Sequence, residues 1–330
     1  MSNLVRESAL QQWLSQTFDI VPPLLTMVSG DASFRRYFRF QLANGDTAIA
    51  VDAPPATEKN QQFVDIAKAL NAQNLPVPAV LAADIDAGFL CIEDLGSTML
   101  EQILSADNAA ELYRQALALI VQLQGSKRED LAEMEDFDPV FIQRELDIFA
   151  DWFAKQELQA DEEWQQTCDW SGLCSVVSQA ILEQPYAPMH RDFHSRNLML
   201  NQQQIVMIDF QDMVWGPIAY DVVSLLRDCY IAWPEELVDE LQQAFLSEKS
   251  AQLSGPIEPS TWQRWFDLTG LQRHIKALGI FCRLDHRDGK TAYREAIPQT
   301  LEYVLQVTKR YPELQAFHQW LSPIAKGFKV

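Results

Sequence analysis

The stretch richest in chemistry is His190-Arg-Asp192-Phe-His194-Ser-Arg-Asn197-Leu-Met-Leu200, followed by Ile208-Asp209-Phe210-Gln-Asp212. It sets Asp192 and Asn197 on one tight loop and Asp209 at the end of a returning apolar run. Hard oxygen donors spaced this way suit Mg²⁺, which keeps several waters and takes one or two carboxylates plus substrate phosphates. Asp192, at the start of the loop, then faces an attacking hydroxyl, while Asn197 and Asp209 converge on the metal. An isolated D-x-x-x-x-N carries no information. The specificity comes from His190 two residues before Asp192, the aliphatic triplet after Asn197, and the hydrophobic-Asp-Phe beyond it. Asp and Asn as ordinary turn formers would leave that whole pattern unexplained.

These residues need elements to hold them. Residues 198–200 and 205–208, around the polar turn 201–204, read as a hairpin set into a helical region. Upstream, residues 33–53 read as two strands joined at Asn44-Gly45-Asp46, with Phe34, Phe38 and Phe40 on one side. Phe63, Ile66, Ala67 and Leu70 share one helical face, and Pro76 and Pro78 end that helix. Strands at 80–83 and 89–93 come next, around the turn 84–88. From Gly96 the pattern is mainly helical, most clearly over 112–123 and 141–153. The expected fold is α+β and bilobal. Residues 1–94 make a small antiparallel-sheet lobe; residues 95–330 make a larger helical lobe carrying the hairpin. The crevice between such lobes is the default ligand site.

Composition narrows the partners. The 330 residues hold 26 Lys+Arg against 46 Asp+Glu, a net charge of −20. That balance argues against nucleic acid, whose binding relies on cations at phosphates, and against anionic membrane surfaces. No run of apolar residues is long enough to span a bilayer. The opening residues read as an amphipathic helix and not as a signal peptide. Five scattered cysteines, with no C-x-x-C and no zinc spacing, fit reduced thiols packed in a cytoplasmic protein.

The motif resembles that of the aminoglycoside phosphotransferase-like kinases, relatives of the protein kinases: H-x-D-[apolar]-x-x-x-N-[apolar]₃, then I-D-F. The resemblance implies a protein-kinase-like bilobal fold that uses ATP and Mg²⁺. It gives Asp192 the acceptor hydroxyl and Asn197 and Asp209 the metal. Gly216-Pro-Ile-Ala-Tyr-Asp221 matches the family's G-P-x-x-[apolar]-D, whose Asp caps a helix and bonds the catalytic-loop backbone, so Asp221 supports the loop. His190 reads as a second support, bonding the loop and not exchanging protons. Ile92-Glu93-Asp94-Leu95-Gly96 is similar to the inter-lobe hinge whose backbone meets adenine, which implies roles for Glu93 and Leu95. Further stretches at 30–39, 52–55, 63–65 and 272–283 are similar to the bacterial anomeric N-acetylmuramate/N-acetylglucosamine kinase subgroup. That likeness implies transfer to the C1 hydroxyl of a free amino sugar in cell-wall recycling.

Two departures from the family pattern matter. The phosphate-covering loop, Ser29-Gly30-Asp-Ala-Ser33-Phe-Arg35-Arg36, has a single glycine. Its backbone N–H groups and the Ser33 hydroxyl can still approach phosphates. The strand at 48–53 has no lysine. Either Arg35, Arg36 or Arg39 supplies the missing charge, arginine being suited to bidentate phosphate contact, or the nucleotide binds weakly. Glu58 is the nearest candidate for the glutamate that would pair with it. Asp212 is a candidate substrate contact. Arg273, His274 and Lys276 recur with Arg283 at helical spacing, either as a salt-bridged face or as contacts to a carboxylate-bearing sugar such as N-acetylmuramate. The rival readings are an aminoglycoside- or choline-type kinase, and a pseudokinase that binds without transfer.

Overall fold

The computed structural model describes residues 3–30, 35–253 and 255–328. Along the chain run α1 (Asn3–Phe18), β1 (Thr26–Gly30), β2 (Arg36–Gln41), β3 (Thr47–Asp52), α2 (Asn60–Ala72), β4 (Val80–Asp84) and β5 (Phe89–Glu93). Next come α3 (Leu100–Ile103), α4 (Ala109–Leu123), α5 (Pro139–Ile148), a π-helix (Phe149–Glu157), α6 (Trp164–Thr167) and α7 (Trp170–Leu182). After them lie β6 (Tyr186–Met189), β7 (Leu198–Asn201), β8 (Gln204–Met207), β9 (Val214–Pro217) and α8 (Tyr220–Leu226). The remainder is helical: α9 (Glu235–Lys249), α10 (Pro259–Asp288), α11 (Ile297–Arg310) and α12 (Gln315–Ala325).

The chain divides into two compact units whose segments alternate along the sequence. The first takes Met1–Ile103, Ser126–Glu133 and Arg196–Asp212; the second takes Leu104–Gly125, Met134–Ser195 and Met213–Val330. The sequence pattern predicts one boundary, between residues 94 and 95. In the structure the β7–β8 hairpin and the segment 126–133 join the sheet-bearing unit.

In the first unit the strands run β1-β2-β3-β5-β4, all antiparallel. Side-chain alternation divides the sheet into two faces. Phe38, Phe40, Ala48, Ala50, Phe89 and Cys91 form a core with Leu10 and Leu14 of α1. The opposite parity, Tyr37 and Arg39 on β2 across from Val51 and Ile49 on β3, faces the other way. Gly45 closes the β2–β3 turn at φ +91°, a conformation glycine adopts without penalty. Phe63, Ile66, Ala67 and Leu70 are buried along one face of α2, as their spacing requires. The hairpin is tied in by the Leu200 N–H on the Thr98 oxygen (2.9 Å) and the Met207 N–H on the Pro76 oxygen (2.9 Å). Leu95, Met199 and Val206 form a small core beneath it.

The second unit is built around α10, thirty residues long and buried along most of its length. It packs on the π-helix, α7, α8 and α11. Two features have no counterpart in the sequence pattern. One is the β6–β9 pair, in register from Tyr186 opposite Pro217 to Met189 opposite Val214. The other is that the helical pattern of 141–153 changes to π-helix at Phe149, a register that still keeps Phe149, Ala150, Phe153 and Ala154 buried. Gly279 of α10 meets that junction. A Cβ at position 279 would lie 2.5 Å from the Ile148 carbonyl oxygen and 2.7 Å from the Phe149 nitrogen. Among the described residues all five cysteines are free and buried, and no helix is long and apolar enough to cross a membrane.

Alanine is favoured over glycine inside a helix by about 1 kcal/mol. At Gly279 the clash is with backbone, so overpacking outweighs propensity. Gly279→Ala is expected to lower the unfolding free energy by about 2 kcal/mol, measured by urea denaturation at constant slope.

Candidate active site

The first unit holds a cavity of about 530 Å³. Its walls combine Tyr37 and Ile49 of the open sheet face, Phe63 of α2, the segment 92–97 after β5, and Asn197, Asp209 and Phe210 at the two ends of the hairpin. Hairpin pairing explains the last group. β7 and β8 bring residues 197 and 208 together, with the Ile208 N–H on the Asn197 oxygen at 3.0 Å. Asn197 and Asp209 therefore share one cavity, as the motif spacing implies. Asp209 has φ +62°, an uncommon backbone conformation for a residue with a Cβ. Its carboxylate accepts from Gln211 Nε2 at 2.7 Å. Phe210 stacks on Phe63, ring centroids 4.8 Å apart.

Glu93 and Leu95 line the same cavity. The Glu93 N–H donates to the Ala79 oxygen at 2.8 Å, and its carboxylate accepts the Ala79 N–H at 3.2 Å. The following turn is locked by Arg39, whose Nε and Nη2 grip the Asp94 carboxylate at 2.6 and 2.8 Å and whose Nη2 also reaches the Gly96 oxygen. Arg35 is 8% exposed. Its Nε is 2.8 Å from the Glu58 carboxylate, and its Nη1 is 3.8 Å from that of Asp209. Burial works against the charge of Arg35, but Tyr37, Glu58 and Asp209 outweigh it and raise the pKa further. Neither Arg35 nor Arg36 is among the cavity-lining residues; Arg36 holds Asp52 on the α1 face of the sheet. Asp212 pairs with Lys59 at 3.0 Å on the surface. Ser33 lies outside the described residues.

The second unit carries Asp192. β6 delivers the chain to residue 190, and three buried carboxylates fix the loop beyond it. Asp221, inside the first turn of α8 and not at its cap, accepts the N–H groups of His190 (2.7 Å) and Arg191 (3.0 Å). Asp228 accepts both the N–H and the hydroxyl of Ser195, at 3.0 and 2.5 Å. Glu145 of α5 receives Arg191 at 2.7 Å, Gln272 at 2.9 Å and Lys276 at 3.2 Å. Arg191 has φ +75°, so this contact secures the loop at its most strained residue. Glu145 and Asp228 had no motif around them, and only a buried position for a charged residue could have flagged them.

The α10 cations are distributed unequally. Lys276 is spent on Glu145. His274 meets the Arg227 oxygen at 2.8 Å and stacks on Tyr303. Arg273 is buried, with Nη1 on the Cys229 sulfur at 3.5 Å and no hydrogen-bond partner for Nε among the described residues. Burial opposes the Asp192 charge, but Lys276, Arg191, His194 and Arg273 together hold its carboxyl below the usual carboxylate range. Burial is the main cause that lowers His194, which favours the neutral ring.

Asp221 shifts the other way. Desolvation pushes it up to about 6, against the pull of His190 and its two N–H donors. A carboxyl raised in the folded state stabilises below its unfolded pKa, and that contribution is lost as pH rises through the folded value. The difference from its ordinary value corresponds to about 3 kcal/mol. Relative to Asp221→Asn, wild-type unfolding free energy should therefore fall by about 3 kcal/mol between about pH 3 and 8, measured by chemical denaturation at each pH.

The profile of the phosphotransferase enzyme family matches residues 25–256. The chain is 37% identical over 323 residues to the N-acetylmuramate/N-acetylglucosamine kinase of Neisseria meningitidis serogroup B, covering 96% of this chain and 95% of that one. It is 36% identical over 341 residues to the protein of that name from Pseudomonas aeruginosa, covering 99% of each. Among solved structures, choline kinase LicA from Streptococcus pneumoniae shares the fold at a TM-score of 0.64 and 12% identity, over 91% of this chain and 99% of that one. With the family profile spanning both the sheet and the motif loop, and relatives matching from end to end, the chain belongs to the phosphotransferase enzyme family.

Proposed function

We propose that the protein is an ATP- and Mg²⁺-dependent small-molecule kinase. Its acceptor is the anomeric (C1) hydroxyl of N-acetylmuramate or N-acetylglucosamine in the recycling of cell-wall sugars. The observation that carries this reading is the end-to-end identity, 37% and 36%, to two kinases of those sugars. In this reading residues 1–94 serve the nucleotide and residues 95–330 serve catalysis and the acceptor. We assign the work to the cytoplasm, where ATP is available and buried thiols stay reduced.

The donor set suits the metal. Asn197 and Asp209 offer an amide oxygen and a carboxylate on one cavity wall. No cluster of three or more His, Cys, Asp or Glu suited to a metal occurs among the described residues. A sparse, all-oxygen site of this kind fits Mg²⁺ held largely by phosphates and water. When bound, the ion neutralises charge on the phosphate oxygens.

Asp192 orients the acceptor hydroxyl. The C1 oxygen attacks the γ-phosphorus in line as the bond to the β-phosphate oxygen breaks, giving sugar 1-phosphate and ADP. The hydroxyl proton passes to Asp192 or to water. With its carboxyl held in the ionised form, Asp192 is a weak base and a good positioning group. An anomeric hydroxyl, more acidic than an ordinary alcohol, needs little more. Arg273 would meet the carboxylate of an N-acetylmuramate acceptor and would repel a cationic one, which disfavours an aminoglycoside or choline.

Incubation with ATP, Mg²⁺ and a panel of amino sugars, followed by phosphorus NMR, tests the reading. A C1-phosphate signal is expected. Turnover of aminoglycosides or choline alone, or no acceptor-dependent ADP, would overturn it, the second outcome pointing to a pseudokinase. Asp192→Ala and Asp209→Ala should each lower kcat by about 10³-fold with unchanged circular dichroism melting.

A further inference from the structure

Beyond Asp192 the motif loop turns back on itself, the His194 N–H donating to the Asp192 oxygen at 3.0 Å. The His194 ring then meets the Tyr230 ring edge to face, with centroids 5.5 Å apart. Tyr230 is half-buried and lies in the irregular segment that follows α8. Its ring continues a row into Phe281 of α10 and on to Tyr293, with centroids 6.1 Å apart at each step. Residues 229–234, Cys-Tyr-Ile-Ala-Trp-Pro, carry no charge in a chain of net charge −20. The surface next to the motif loop is thus apolar and aromatic.

One carboxylate holds this segment and the loop together. Asp228 is fully buried. Its Oδ2 accepts the N–H and the hydroxyl of Ser195, and its Oδ1 accepts the Tyr230 N–H at 2.9 Å. Cys229, between Asp228 and Tyr230, receives Arg273 Nη1. At the far end of the segment Trp233 Nε1 donates to the Tyr113 hydroxyl at 2.9 Å. Tyr230 is therefore tied to the loop that carries Asp192 and adjoins the residue that meets Arg273. A sugar held by a single hydroxyl can still swing about that contact. An aromatic ring beneath its C–H face removes the freedom and fixes the line of attack. Trp152, also half-buried, borders a groove of about 570 Å³ whose walls are residues of α5 and the π-helix.

We infer that Tyr230 is the floor on which the pyranose ring of the acceptor stacks, and that Asp228 sets its place relative to Asp192. Tyr230 touches the substrate and selects for a sugar ring; Asp228 is a positioning residue. The inference rests on the sugar-kinase reading and goes further, since it names what reads the ring and not the reacting hydroxyl.

Steady-state kinetics with ATP, Mg²⁺ and either N-acetylglucosamine or N-acetylmuramate tests it. Tyr230→Leu is expected to raise the acceptor KM by about tenfold with both sugars, with the KM for ATP within about threefold of wild type. Tyr230→Phe, which keeps the ring, should bring the acceptor KM back to within about threefold. Asp228→Asn loosens both ends, so kcat per folded enzyme should fall and the acceptor KM rise, each by about tenfold. A merely structural role would lower only the amount of folded enzyme. The stacking role is overturned if Tyr230→Leu keeps the wild-type acceptor KM or raises the KM for ATP equally. It is also overturned if Tyr230→Phe loses as much as Tyr230→Leu, or if the loss appears in Trp152→Leu in its place. Unchanged kcat and acceptor KM in Asp228→Asn remove the positioning role. Should that variant not fold, Ser195→Ala, which frees the loop end alone, should lower kcat by about fivefold; an unchanged kcat has the same meaning. Failure of the kinase reading looks different: the wild type itself would then consume no ATP in response to either sugar.

Discussion

The carboxylate of Glu145 is the constraint on which the rest of the second unit depends. It is 3% exposed, and an ion so placed costs several kcal/mol in desolvation. Three donors offset that cost: Arg191 from the motif loop, and Gln272 and Lys276 from α10. Burial pushes the Glu145 carboxyl up, while Lys276, Arg191 and Gln272 bring it below its ordinary value. The interaction thus joins three segments distant in sequence: α5, the loop and the spine helix. Loss of Glu145 would remove the carboxylate that Arg191 and Lys276 share in the interior, a larger penalty than losing a surface pair. Asp221 and Asp228 hold the backbone on either side of Asp192 through their carboxylate oxygens. A loop whose N–H groups are held by fixed carboxylates can keep Arg191 at positive φ, a conformation that persists only when its surroundings over-determine it.

Much of the scaffold was legible because it depends on alternation. The two-residue period of strands, the Asn-Gly turn and the i, i+3, i+4 face of α2 each follow from local sequence, and the structure has them where these signals fall. The hairpin was readable for the same reason. The features without a local signal depend on distant partners. The β6–β9 pair joins residues that are nearly thirty positions apart in short strands with little alternation. The π-helix begins at Phe149, where Gly279, far along the chain, lets α10 approach the backbone. Neither has a local signature.

The site divides in the same way. Asn197 and Asp209 were legible because a hairpin register joins them. Glu145 and Asp228 were not, because a buried carboxylate looks like any other acidic residue until its partners are known. The arginines around the second strand are intermediate. Arg35, Arg36 and Arg39 are equivalent by composition, yet strand parity separates Arg36 from Arg39, and Arg35 precedes the strand. Contacts then separate Arg39, locked on the turn after β5, from Arg35, set beside Asp209.

A net charge of −20 takes on a more specific meaning once burial is considered. Most of the acidic excess lies on the surface, where it costs little and keeps the protein in solution. The buried cations are few, and each can be followed to what satisfies it. Arg35 has Glu58, Lys276 shares Glu145 with the half-buried Arg191, and Lys249 has the Gln252 side-chain oxygen and the Gln124 carbonyl oxygen. Arg273 differs, since its partner is a sulfur and its Nε has none among the described residues. Burying a guanidinium without a bonded carboxylate opposes stability, and in a chain with acids to spare the omission is not a shortage of partners. The same Arg273, with Lys276 and Arg191, holds Asp192 in its ionised form. Its cost in the folded state is therefore coupled to the charge state of Asp192.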